Sequence, residues 1–137
     1  MDATGRSFFV TFAQLCREWI QDCALLALPT TKDTSLAKAL ELVRADPAGC
    51  QLNAAVAVAG LSERTFRRRC KLTIGMGWDE YRRRARLLSA IDALVETNRS
   101  ISRIAADVGF ESQSAFAHAF RHLTGQTPRA FREQSRR

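Results

Sequence analysis

ISRIAADVGFESQSAFAHAFRHLTGQTPRAF, residues 101–131, is the stretch whose reading decides the fold. Ile104, Ala105 and Val108 fall at i, i+1 and i+4, the narrow inward face of a short helix. Gly109 then stops it, supplying the left-handed backbone such an ending needs. Glu111-Ser112 reopens a helix, with Ser112 as its N-cap. In that helix Phe116, Phe120 and Leu123 recur at +4 and +3 and so share one buried stripe. Gly125 ends it, and Pro128 sits where a first-turn proline starts the next helix. A short helix, a glycine turn and a longer helix make a helix-turn-helix. The plainer reading is two packed helices in an all-α core. The face opposite the stripe argues for more: Gln113, Ser114, Ala117, His118 and Arg121 are small or hydrogen-bonding, the chemistry of a helix that enters a major groove.

The same pattern stands earlier in the chain. Gly60 matches Gly109 at an offset of 49, and after one inserted residue Ser62/Ser112, Phe66/Phe116, Cys70/Phe120, Gly75/Gly125, Tyr81/Phe131 and Arg82/Arg132 match at 50. Spacing kept over so many positions indicates two copies of one unit. The expected fold is therefore all-α, with two helix-turn-helix subdomains joined by a long connector helix, about seven helices in all, plus an N-terminal apolar helical segment. A connector of roughly 18 residues spans about 27 Å at 1.5 Å per residue. That length suits two recognition helices in successive major-groove segments about 34 Å apart on one DNA face.

Around these units the chain reads as follows. Residues 8–28 carry Phe8, Phe9, Phe12, Leu15, Cys16, Trp19, Ile20, Cys23 and Leu26 at largely helical spacing. That segment either packs on the basic part of the chain or pairs with another chain, and both readings stand. Residues 30–35 form a linker ending in an N-cap, so residues 1–35 make the N-terminal segment and 36–137 the helix-turn-helix region. Residues 36–45 place Leu36, Ala39, Leu40 and Val43 on one face. The first helix-turn-helix covers about 52–74, the connector about 78–95 and the second unit about 101–124. In the first unit Phe66 and Cys70 point inward and Arg64, Arg67, Arg68 and Lys71 largely outward. Trp78, Tyr81, Ala85, Leu88, Ile91 (or Asp92) and Val95 trace the connector's apolar face.

Composition bounds the function. The 137 residues carry a net charge of +7, and 46% of them are hydrophobic, ample for a core. Residues 1–61 hold five Lys/Arg against six Asp/Glu, whereas 62–137 hold sixteen against eight. A basic half of this kind calls for a polyanionic partner, nucleic acid ahead of a membrane surface. No run reaches the roughly 18 uninterrupted apolar residues of a membrane span, and no signal-peptide order opens the chain. A cytoplasmic, nucleoid-associated protein is expected. Cys16, Cys23, Cys50 and Cys70 show no C-x-x-C pair and no histidine at ligand spacing, so burial as small apolar residues outweighs a metal or redox role. No carboxylate–nucleophile constellation supports an enzyme, and no cofactor is expected.

With these residues in place the chain resembles the AraC/XylS family of bacterial transcription regulators over about residues 36–134. The motifs that carry the resemblance are Gly109-Phe110-Glu111-Ser112-Gln113-Ser114-Ala115-Phe116, Phe120-Arg121, Gly125, Thr127-Pro128 and Phe131-Arg132. Gly60-Leu61-Ser62-Glu63-Arg64-Thr65 and Arg86-Leu87 match the family's first unit and connector. The resemblance implies a two-lobed domain that binds double-stranded DNA, usually as an activator contacting RNA polymerase. It implies base reading by Arg64, Arg67 and Arg68 and by Gln113, Ser114 and His118. Arginine can pair bidentately with guanine and Gln113 with adenine. Ser62, Lys71 and Ser112 are assigned to phosphates. Arg82, Arg121 and Arg132 either serve phosphates or brace the two lobes.

Three departures mark the first lobe. Ala55 and Val56 exchange the usual large and small positions; Cys70 stands for Phe and Arg69 for Leu; Gly77 replaces a small hydroxyl residue that would cap the connector. The first lobe is accordingly expected to be the less stable one. The departures also leave an alternative function, a degenerate relative that docks another regulator, or a second copy of itself, through residues 8–28 without reading DNA.

Overall fold

The computed structural model describes residues 28–137. Seven helices organise this range: α1 (Thr34–Ala45), α2 (Leu52–Ala59), α3 (Glu63–Ile74), α4 (Trp78–Glu96), α5 (Ile101–Asp107), α6 (Gln113–Thr124) and α7 (Pro128–Ser135). The all-α expectation holds here, while the apolar segment at residues 8–28 lies outside the described residues except for its last position.

Local chemistry sets the helix starts. The first begins at Thr34, ahead of the expected residue 36, because Asp33 is its cap; its carboxylate accepts from the Ser35 and Leu36 amides at 3.0 and 3.3 Å. The other Asp33 oxygen meets Arg69 Nη1 at 3.4 Å, which ties the start of α1 to α3. Ser62, Ser100, Ser112 and Thr127 cap α3, α5, α6 and α7, each accepting an N–H from three residues on. Such a cap contributes about 1 kcal/mol. Two helices break the series, since neither Gln51 ahead of α2 nor Gly77 ahead of the connector α4 supplies a side-chain cap. Gly77 has φ −71° and ψ 162°, and a Cβ added there would meet nothing within 4 Å. Gly77→Ser is therefore expected to raise stability by roughly 1 kcal/mol, part from the cap and part from a less flexible unfolded chain. A urea midpoint that rises at unchanged slope checks this; a fall would show that the hydroxyl fails to reach the orphan amides.

Apolar side chains gather into two separate cores. One joins Leu36, Ala39, Leu40 and Val43 with Ala55, Phe66, Cys70, Trp78, Tyr81 and Ala85. The other joins Leu87, Ala90 and Leu94 with Ile104, Ala105, Val108, Phe116 and Phe120. The connector serves both, and its buried face changes midway. At about 100° per residue, Trp78, Tyr81 and Ala85 centre about half a turn away from Leu87, Ala90 and Leu94. This corrects the single stripe expected through Leu88, Ile91 and Val95. Leu88 and Ile91 are only half-buried, and Val95 is 46% exposed. A helix with one lobe on each side cannot keep one apolar face. Its two halves bury opposite ones.

Inside the second lobe the aromatic rings form a chain. Phe110–Phe116, Phe116–Phe120 and Phe120–Phe131 have centroids 5.4, 5.7 and 5.4 Å apart. The first lobe fills the matching space differently. Cys70 replaces a phenyl ring, and Phe66 packs edge-on against Trp78 at 5.3 Å, where the second lobe has Pro128 at the repeat-related position.

Two arginines of the connector-and-after pattern hold carbonyls rather than solvent. In the second lobe Arg132 donates from Nε, Nη2 and Nη1 to the carbonyls of Leu94 (3.1 Å), Thr97 (3.3 Å) and Arg99 (2.6 Å). The Leu94 carbonyl is one that the last turn of α4 leaves free, and the Thr97 and Arg99 carbonyls belong to the cap and loop just beyond it. The repeat-related Arg82 does not do this in the first lobe. Arg86, one helical turn later, takes the Pro47 and Ala48 carbonyls beyond α1 at 3.0 and 3.3 Å. Its remaining nitrogen, Nη1, reaches the Gly109 carbonyl of the second lobe at 3.2 Å. Gly109 is what permits that approach. It has φ +89°, and a Cβ there would lie 3.3 Å from both Ala48 Cα and the Arg86 guanidinium.

Candidate nucleic-acid interface

The sequence of α3 separates it into two faces. Phe66, Cys70 and Ile74 are buried, and Arg64, Arg67, Arg68 and Lys71 are exposed. The same division recurs in α6, where Phe116 and Phe120 are buried and Gln113, Ser114, His118 and Arg121 are exposed. Each helix follows a glycine turn and a serine cap, so its position on its lobe is set by the same local chemistry. By the 50-residue offset Arg64 corresponds to Ser114, Arg67 to Ala117, Arg68 to His118 and Lys71 to Arg121. One outward face is cationic. Its counterpart is nearly neutral and rich in hydrogen-bonding groups.

The expected contact residues differ in how free they are. Arg64, Arg68, Lys71 and Arg121 form no ion pair among the described residues. Arg67 is held, its Nε on Glu63 at 3.1 Å and its Nη1 on Asp79 at 3.3 Å. Those hydrogen bonds raise the guanidinium above its ordinary value, Glu63 first and Asp79 second. All three side chains are exposed, so the pairs are weak and exchangeable, but Arg67 reaches a base only by giving them up. Ser62 and Ser112 spend their oxygens as acceptors of the Thr65 and Ala115 amides. The Ser62 hydroxyl also donates to Thr65 Oγ1 at 2.9 Å, so its proton is committed as well.

The sequence leaves Arg132 open between phosphate contact and a brace across the two lobes. All three of its guanidinium nitrogens lie on carbonyls at and just beyond the end of α4, within the second lobe, and the contact across the lobes is made by Arg86 instead. Arg82 is half-buried, and its Nε lies out of solvent without a hydrogen-bond partner among the described residues. It lines a cleft of about 1070 Å³ between α4 and α6, together with Arg83, Arg84, His118 and His122.

Arg86 is the important residue that the sequence argument left without a role. Burial first, and the neighbouring Arg82 second, pull its guanidinium below the ordinary value. It remains a cation at any physiological pH. Its signals in the sequence were the Arg86-Leu87 match and its place in an arginine run, and neither says which member of the run turns inward.

Cys50 and Cys70 are buried and form no disulfide among the described residues, and burial pushes the Cys70 thiol up to about 11. Among the described residues no group of three His, Cys, Asp or Glu side chains could hold a metal ion, and no helix is long and apolar enough to cross a membrane.

Comparison with known proteins adds the following. A family model described as a helix-turn-helix domain matches residues 55–134. The chain is 36% identical over 102 residues to a protein named as an AraC-like transcription regulator in Streptomyces lividans, covering 74% of this chain and 34% of that protein. It is 32% identical over 107 residues to the regulatory protein PocR of Salmonella typhimurium, covering 77% of this chain and 35% of PocR. The chain thus spans about a third of the length of the curated relatives it matches. A transcriptional regulator with an AraC-type DNA-binding domain from Chromobacterium violaceum superposes with a TM-score of 0.70 at 28% identity, over 74% of this chain and 91% of that one. The DNA-binding domain of AdpA, a global transcriptional factor crystallised with a target DNA, superposes with a TM-score of 0.67 at 27% identity, over 74% and 92%.

Proposed function

The chain belongs to the AraC/XylS family of helix-turn-helix proteins, and on that footing we propose that it regulates transcription by reading double-stranded DNA with two helices, α3 and α6. The observation that carries the reading is the repeat in three dimensions. Two lobes of like construction sit on opposite faces of one connector, each presenting an exposed polar helix face behind a glycine turn. The 19-residue connector is about 28 Å long at 1.5 Å per residue, close to one turn of DNA. Two different helices in one chain suit a site whose two halves differ in sequence.

Within this proposal Arg64 and Arg68 read guanine, and Gln113, Ser114 and His118 form the second, hydrogen-bonding reader; Arg67 joins them if it leaves Glu63 and Asp79. Lys71, Arg121, Ser112 and Arg82 face phosphates, and Ser62 joins them if its hydroxyl leaves Thr65 Oγ1. Residues 36–137 form the DNA-binding unit, and residues 1–35 are an appended segment. Activation through RNA polymerase follows from the family, and self-association through residues 8–28 from the apolar sequence there.

Selection of bound sites from random DNA is the direct experiment. On the selected site Arg68→Ala is expected to lose about 1–3 kcal/mol of discrimination at one or two base pairs. Lys71→Ala is expected to weaken all sequences alike and to flatten the salt dependence by about one released counterion. Equal loss on specific and random DNA in Arg68→Ala would move that arginine to the backbone. No preferred site, together with a stable complex with another regulator, would favour docking through residues 8–28 instead.

A further inference from the structure

We infer that Leu72 reads the 5-methyl group of a thymine, as the third side chain of the row that Arg64 and Arg68 begin; the inference rests on the DNA-reading proposal above. Leu72 is 78% exposed, whereas Val95 and Val58, the other exposed large hydrophobic residues among those described, are 46% and 42% exposed. It fills no core, since Phe66, Cys70 and Ile74 supply the buried face of α3. A leucine here also interrupts the most cationic surface of the chain, following Arg67, Arg68, Arg69 and Lys71 directly.

Its place on the helix gives the exposure a meaning. Arg64, Arg68 and Leu72 are spaced i, i+4 and i+8, so they stand on successive turns of one face. Helical side chains lean toward the N-terminus, which carries the Leu72 alkyl group over the turn of Arg68. The matching row of the second lobe is Ser114, His118 and His122, hydrogen-bonding throughout. Only the first lobe's row ends in hydrocarbon. In the major groove each base pair presents donors and acceptors, and thymine alone presents a methyl group. One helical turn of about 5.4 Å covers fewer than two base steps of about 3.4 Å. The thymine therefore lies within two base pairs of the guanine assigned to Arg68.

Deoxyuridine tests this, because it removes the methyl group and leaves the hydrogen-bonding edge intact. Each thymine of the selected site is replaced in turn, and binding of the wild-type chain, Leu72→Ala and Leu72→Gln is measured. The wild type is expected to lose about fourfold in affinity at one thymine, the worth of one buried methyl group. That thymine should lie within two base pairs of the position sensitive to Arg68→Ala. Both Leu72 variants should bind the thymine and deoxyuridine forms alike. Since the side chain is exposed, both should keep the wild-type urea midpoint. A sensitive thymine that remains equally sensitive in the two variants would overturn the inference, as would a flat scan near the Arg68 position. A wild-type chain that selects no site at all would instead overturn the DNA-reading proposal beneath it.

Discussion

Arg86→Met is expected to lower stability by about 2–3 kcal/mol and to weaken binding to a two-segment DNA site by ten- to a hundredfold, with little change in sequence preference. Three charge-assisted hydrogen bonds disappear together, to Pro47, Ala48 and Gly109. Each such bond is worth about 1.5–3 kcal/mol where the acceptor stays dry. The guanidinium is only half-buried, so water re-solvates part of what is lost and the sum falls well short of three full bonds. Methionine keeps the length and the apolar stem, which confines the change to the polar head. The loss in binding has a separate origin. With the lobes clamped, engagement of one recognition helix presents the other at its segment, and a loose clamp lowers that effective concentration. The residues proposed to read bases are untouched, so the preferred sequence should survive. Urea unfolding and titration of full-site against half-site DNA check the two halves of the expectation. An unchanged full-site to half-site ratio would mean that core packing along α4 suffices to orient the lobes.

What could be read in the sequence, and what could not, divides along range of interaction. Helix ends were legible because their causes are local: Ser62 and Ser112 cap where expected, and Gly60, Gly75, Gly109 and Gly125 all take left-handed backbone. The inward residues of α1 were legible because that helix meets one core, and Leu36, Ala39, Leu40 and Val43 are its buried set. The second half of α4 was not. Its apolar positions allow either Leu88–Ile91–Val95 or Leu87–Ala90–Leu94, and only the position of a second lobe behind the helix selects the latter. Side-chain pairing was less legible still. The repeat marks Arg82 and Arg132 as equivalents, yet Arg132 clasps the end of α4 while the clasp in the first lobe passes to Arg86. The sequence carries the spacing but not which guanidinium finds the free carbonyls. The outward residues of α3 and α6 could be named, and the Glu63–Arg67 pair is a local i,i+4 contact, but the hold of Asp79 on Arg67 depends on the loop that brings Asp79 back beside α3.

Phe120→Ala and Cys70→Ala remove side chains from the same place in the two lobes and are expected to differ severalfold in cost. Both side chains are fully buried. Phe120 packs against Phe116 and Phe131 at 5.7 and 5.4 Å, so its loss opens a ring-sized hole in the middle of the aromatic chain. Truncations of that kind cost about 3–5 kcal/mol. Cys70→Ala deletes one sulfur atom, comparable to one methylene, and about 1 kcal/mol is expected. A lobe of this size has little stability in reserve, so Phe120→Ala should unfold the second lobe rather than merely loosen it. Because the two cores share no residue, protection from hydrogen exchange should vanish across α5 and α6 while α1 and α3 keep theirs. The C-terminal half of α4 should follow the second lobe, since Leu87, Ala90 and Leu94 lose the surface they bury. Loss of protection in both lobes at once would mean that the Arg86 clamp and the shared connector make the two a single cooperative unit. The wild-type pattern also ranks the lobes. If the uncapped connector and the thin packing at Cys70 decide the order, amides of α3 exchange before those of α6; the reverse order would show that Trp78 against Phe66 more than offsets both.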